Sequence, residues 1–263
     1  MHEPIAIPGL DPTSPVSVEL LAGVAHLRLA RPDSSNALDL STAQALRAAV
    51  RHLSSDERVL VVVVTGAGAR FCGGGDLKAM LAADDRLPYV NALARELHLA
   101  FQELSELSVP VVVGVHGAVA GAGLALMLSC DVVLSADSTT FTAAYPGVGL
   151  TPDCGLSWLL PRVVGQQRAL SFLLLNERVC AKDAHAWGMV TELVEPAGLI
   201  ERCMEIAQAL ASGPSWALGQ TKALVRGSMT QSRSECGYHE ADIVTAAADH
   251  DEARSRMERF LKR

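Results

Sequence analysis

The chain has 263 residues, of which 49% are hydrophobic, and carries a formal net charge of −7. That is ample apolar content for a packed core and excludes global disorder. The acidic balance, with no run of Lys or Arg, excludes general nucleic-acid binding, because neutralising phosphates requires a basic surface.

In chain order, residues 1–15 are Pro-rich and predict a loose terminus. Met1-His2-Glu3-Pro4 lacks the basic and apolar regions of a secretory signal. Strand-like runs at 16–21 and 24–29 around Gly23 predict a hairpin. Leu40-Ser41-Thr42-Ala43-Gln44 has the spacing of a capping box with Ser41 as N-cap, and Leu46, Val50 and Leu53 then share one helix face. The run Val59 to Val64 predicts a buried strand leading through Thr65-Gly66-Ala67-Gly68 into Phe71-Cys72-Gly73-Gly74-Gly75-Asp76-Leu77. Three consecutive glycines let a ligand approach the backbone and leave N–H groups as donors to one of its oxygens.

A helix is expected over 89–104. The β-branched run Val111 to Val115 then predicts a second strand, followed by a small-residue turn and a helix starting near Gly121. Free N–H groups at that start, aided by the helix dipole, favour negative charge. Two strand-end loops offering amides meet the requirement of an acyl oxyanion hole. Residues 107–130 contain no Asp, Glu, Lys or Arg, but Pro110, His116 and four glycines interrupt them, so a buried strand-turn-helix is expected rather than a membrane span. A further strand is expected over 131–134. After Val194-Glu195-Pro196 the pattern turns helical, at 199–211, 215–225, 235–248 and 251–261. The expected division is a core over 1–198 and a helical region over 199–263.

Competing motifs fail. Gly66-Ala67-Gly68 lacks the third glycine of a dinucleotide fingerprint, no GK[ST] follows a glycine loop, and Gly155-Leu156-Ser157-Trp158-Leu159 lacks the closing glycine of a nucleophile elbow. The eight histidines include no HxxxH pair and the six cysteines no CxxC pair, so no metal site is expected. The cysteines read as reduced thiols and the chain as cytoplasmic. His116 reads as a structural histidine.

The blocks Pro32 to Leu38, Thr65 to Gly68, Phe71 to Leu77, Gly117 to Asp131, Gly149 to Gly155, Leu159 to Arg162, Ala181 to Met189 and Arg259 to Arg263 together resemble the crotonase superfamily, the enoyl-CoA hydratase/isomerase family. The resemblance implies an α/β spiral of ββα turns with a C-terminal helical region that builds a trimer or dimer of trimers. It implies an acyl-CoA substrate and no separate cofactor, with the thioester oxygen on the amides of Gly75 and Ala122. It places Gly73, Asp76, Leu77 and Lys78 around CoA, with Arg31 and the terminal Lys262 as candidates for its phosphates.

Hydratases of the family carry two glutamates, and the matching positions here hold Ala125 and Tyr145. Neither replaces a glutamate as general base near neutral pH. Asp153 stands where the isomerase branch carries an acidic residue. The resemblance thus implies a 3-enoyl-CoA to 2-enoyl-CoA isomerase with Asp153 as its single proton shuttle. The rival reading of Asp153 is an N-cap of the helix starting at Cys154 or Gly155. The rival functions are a hydratase using Tyr145 and an inactive CoA-thioester binding protein.

Overall fold

The computed structural model describes residues 3–4 and 14–262. Most of the Pro-rich stretch 1–15 lies outside them, apart from a two-residue strand β1 at Glu3–Pro4. The hairpin forms as β2 (Val16–Leu21) and β3 (Val24–Leu29), turning at Ala22 and Gly23, both at positive φ. Next come β4 (Val61–Gly66), β5 (Val111–Val115), β6 (Ala118–Ala120), β7 (Val132–Ala136), β8 (Thr140–Thr142), β9 (Arg178–Cys180) and β10 (Glu192–Val194). Seven strands make one sheet in the order β1-β2-β3-β4-β5-β7-β10, with every pairing from β3 onward parallel. A smaller sheet holds β6, β8 and β9.

Both faces of the large sheet are covered, which is why its strands read as unbroken apolar runs. Val62, Val64, Val111 and Val113 face a core completed by α1 (Leu40–Ser55) and α3 (Arg86–Ser105), the helix after the short α2 (Leu77–Ala82). Their neighbours Val61, Val63 and Val112 face the other way, onto Leu199, Cys203 and Ala207 of a later helix, Leu199–Ala211. That helix sits close because of Gly114, where a Cβ would meet the Cys203 Sγ at 2.7 Å.

The capping-box expectation at Ser41 is corrected. Asp39 is the N-cap of α1, its Oδ1 accepting from the Thr42 N–H at 2.8 Å and from the Ser41 and Thr42 hydroxyls. An ionised carboxylate is a stronger acceptor than a hydroxyl, so the cap moves two residues upstream and Leu40 joins the helix. Burial raises the Asp39 carboxyl, but the Thr42 amide, the two hydroxyls and the Arg31 charge outweigh it and hold it below the ordinary carboxylate value.

Helix α4 (Ala122–Leu128) follows β6 and is buried throughout. Then come α5 (Leu156–Val164), α6 (Gln166–Leu175) and α7 (Ala181–Ala186), and after β10 the helix Leu199–Ala211 is α8. Helix α9 (Ser215–Gly227) is pinned to the sheet through Asp131, which accepts from Lys222 at 2.8 Å, Arg226 at 2.6 Å and the Val111 N–H at 2.8 Å. Burial pulls the Lys222 ammonium below its usual value, opposed by Asp131. Helices α10 (Arg233–Asp249) and α11 (Asp251–Leu261) bury no residue in the single chain and expose Tyr238, Val244, Phe260 and Leu261. No described helix is long and apolar enough to cross a membrane.

Candidate active site

The glycine loop after β4 is clamped on both sides. Leu38 and Gly75 form an isolated parallel bridge, in which the Leu38 N–H donates to the Gly74 carbonyl at 2.8 Å and the Asp76 N–H to the Leu38 carbonyl at 2.9 Å. Cys72 bridges Val119 of β6 in the same way. Gly75 itself contributes neither bond of its bridge, so its N–H points away from Leu38. Buried Asn36 ties the loop further, its Nδ2 donating to the carbonyls of Ala67, Arg70 and Phe71 and its Oδ1 accepting from the Arg31 N–H.

The second loop ends at Gly121, whose φ of 53° and ψ of −125° turn the chain sharply into α4. Ala122 is the first residue of that helix, so its N–H has no intrahelical acceptor. Gly75 and Ala122 line one cavity of about 250 Å³, together with Gly73, Leu77, Tyr145 and Asp153. Its apolar wall comes from Met80 of α2 and from Val90, Leu93, Ala94 and Leu97 of α3. Such a site can hold a carbonyl oxygen at two amides with an apolar chain beside it.

Asp153 is the one carboxylate among the cavity's lining residues. Its Oδ1 accepts a hydrogen bond from the Tyr145 hydroxyl at 2.7 Å. The rival reading of Asp153 as an N-cap does not match this geometry. Gly155 is the N-cap of α5, with no side-chain cap bond, and Asp153 meets the helix only through its carbonyl, which accepts the Leu156 N–H at 2.9 Å. Burial, and then the charge of Asp153 and the bond to it, push the Tyr145 phenol well above its ordinary value, so it remains a protonated donor. Ala125 is fully buried in α4 and outside the lining.

The remaining sequence candidates lie elsewhere. Asp76 caps α2 through Oδ1, accepting from the Lys78 and Ala79 amides, while its Oδ2 pairs with Arg31 at 3.0 Å. Arg31 also pairs with Asp39 at 3.1 Å and donates to the Ala37 carbonyl, so its guanidinium ties the β3 exit to both helix caps. Lys78 and Lys262 are exposed and outside the cavity lining. His116 Nε2 lies 2.9 Å from the Gly68 carbonyl oxygen, a structural contact. Asn36 and the α3 wall were not singled out as site residues from sequence. The spacing 90, 93, 94, 97 is a legible helical stripe, but nothing in it says that the stripe faces a cavity.

A mixed α/β chain with two amide-bearing loops over an apolar cavity and one carboxylate at its edge has the layout of a site that can seat a carbonyl oxygen beside an acid-base group. The sequence model of the enoyl-CoA hydratase/isomerase family matches residues 19–263, and the chain belongs to that family. It is 32% identical over 247 residues to 4-chlorobenzoyl coenzyme A dehalogenase-2 of an Arthrobacter species, covering 93% of this chain and 90% of that one. It is 32% identical to 1,2-epoxyphenylacetyl-CoA isomerase of Escherichia coli, covering 91% and 92%. Its fold superposes on the crystal structure of an enoyl-CoA hydratase from Polaromonas with a TM-score of 0.89 at 29% identity, covering 94% and 96%.

Proposed function

We propose that the protein shifts the double bond of a 3-enoyl-CoA to the 2 position. The observation that carries this reading is the composition of the cavity, which offers one carboxylate, Asp153, where a hydratase of the family uses two. The Gly75 and Ala122 amides receive the thioester oxygen, and Asp153 takes a proton from C2. The resulting dienolate carries its charge on that oxygen, where the two amides stabilise it, and Asp153 returns the proton to C4. No water enters the bond balance, and no cofactor is needed beyond the CoA of the substrate. The Met80, Val90, Leu93 and Leu97 wall excludes water from the acyl chain and suits an apolar substituent.

The same reading assigns CoA to the rim at Gly73, Leu77 and Lys78, and assembly through the exposed faces of α10 and α11 to a homotrimer or dimer of trimers. Incubating the purified protein with matched 3-enoyl-CoA and 2-enoyl-CoA substrates tests the reaction. Conversion of the 3-enoyl thioester to its 2-enoyl isomer, with little 3-hydroxyacyl-CoA formed, supports it. Hydration as the main product contradicts it, and tight CoA-thioester binding without turnover contradicts it in favour of a binding protein.

A further inference from the structure

The cavity sets a phenol, rather than a second carboxylate, against Asp153. We propose that Tyr145 is a positioning residue for Asp153, its hydroxyl fixing Oδ1 so that Oδ2 is the atom presented to the substrate. This inference rests on the isomerase reading and adds to it the residue that sets the orientation of the base.

The geometry joins three parts of the site. Tyr145 is 7% exposed, and its hydroxyl lies 2.7 Å from Asp153 Oδ1. Its ring passes over the second amide loop, with Cζ 3.9 Å from a Cβ built on Gly121, the residue before Ala122. One rigid side chain therefore spans from the loop that offers the Ala122 amide to the carboxylate, and it fixes the distance between oxygen site and proton acceptor.

The backbone on either side is held as well. Ala144 adopts φ of 68°, with its N–H donating to Asn176 Oδ1 at 2.7 Å. The Tyr145 carbonyl accepts the Val148 and Leu150 amides at 3.1 and 3.0 Å. After Asp153, Cys154 and Gly155 both take positive φ, 53° and 79°. Left-handed Ala and Cys are uncommon, and such conformations persist only where the surroundings enforce them.

The groups facing Asp153 are few. Tyr145 comes from the 143–150 segment and buried Cys154 follows directly. On α3, His98 lies across from Gly155, its Nδ1 4.0 Å from a Cβ built there. Helices α2 and α4 present Leu77, Met80 and Ala122 to the cavity, and no Lys or Arg is among its lining residues. With no Lys or Arg among the lining residues, the carboxylate is met by neutral groups, the Tyr145 hydroxyl and the adjacent Cys154 thiol.

The test uses the full-length Tyr145→Phe enzyme. Isomerisation of 3-enoyl-CoA is followed by steady-state kinetics, and the Asp153 carboxylate infrared band is assigned by subtracting the Asp153→Asn spectrum. The expected result is kcat lower by about tenfold with KM within about twofold. The carboxylate stretching band moves as the bond to Oδ1 is lost. Replacing the tyrosines by 3-fluorotyrosine keeps the ring and the bond but strengthens the donor, so it moves the band in the opposite direction even if the Phe variant folds poorly. An inactive Asp153→Asn enzyme beside variants whose kcat and band stay in place overturns the positioning role alone. An Asp153→Asn enzyme that still isomerises overturns the parent reading and this inference together.

Discussion

A Cβ built on Gly74 would lie 2.9 Å from the carbonyl oxygen of Ala120, so the loops leaving β4 and β6 meet backbone to backbone. Gly74 also has φ of +92°, which only glycine adopts without strain. Gly74→Ala therefore strains the loop and drives the two amide-bearing segments apart. Turnover is expected to fall by at least about tenfold, since even small misplacement at a reacting centre is costly. Steady-state kinetics beside a thermal melt separate this effect from unfolding.

The first position of a helix is where proline is best tolerated, and Ala122 occupies that position in α4. Ala122→Pro thus deletes one amide donor with the helix retained. Loss of one oxyanion donor costs roughly 3 kcal/mol in a comparable enzyme, which is a fall in kcat of about two orders of magnitude. Wild-type turnover in a folded Ala122→Pro protein would remove this amide from the mechanism.

The Asp39 cap makes α1 sensitive to acid. Its carboxyl is held below the ordinary carboxylate value of 3.8, so the stabilisation is present above that pH and fades as pH falls through the lower folded value. At neutral pH Asp39→Ala is expected to cost about 1 kcal/mol. The gap between wild type and variant should narrow as pH falls below the ordinary carboxylate value of 3.8. Denaturant unfolding of both proteins at several pH values checks the sign, and a gap that widens on acidification contradicts it.

Thiol chemistry reports on the core. Burial pushes Cys72 and Cys203 up to about 12, and Cys130 and Cys154 upward as well, whereas Cys180 is exposed and Cys236 partly so. A thiol reagent at pH 8 should label Cys180 and Cys236 in the native protein and the other four only after unfolding, because the thiolate is the reactive form. Peptide mapping by mass spectrometry reads the result directly.

The long elements were legible because they repeat their signal. The valines of β4 and β5 and the faces of α8 and α11 extend far enough for a period or an unbroken run to show. Strands β6, β8, β9 and β10 are three residues each, too short to carry a period, and they depend on partners distant in sequence. The loops with Gly75 and Ala122 were visible as small-residue turns after strands. The destination of Asp153 was not, because Asp before a helix has the same appearance whether it caps the helix or turns toward a tyrosine eight positions upstream. Arg31 reads in sequence as a candidate for the CoA phosphates, and only the fold brings Asp39 and Asp76 to it. Asn36 escaped for the same reason, since its three carbonyl partners lie more than thirty residues away.

The most direct test of the account is Asp153→Asn, assayed for 3-enoyl-CoA isomerisation and for 2-enoyl-CoA hydration in one preparation. The substitution keeps the side-chain shape and a partner for the Tyr145 hydroxyl but removes the base. Isomerisation is expected to fall by about two orders of magnitude or more, with thermal stability and CoA-thioester affinity near those of wild type. Isomerisation at the wild-type rate would make Asp153 a structural residue and contradict the one-carboxylate mechanism.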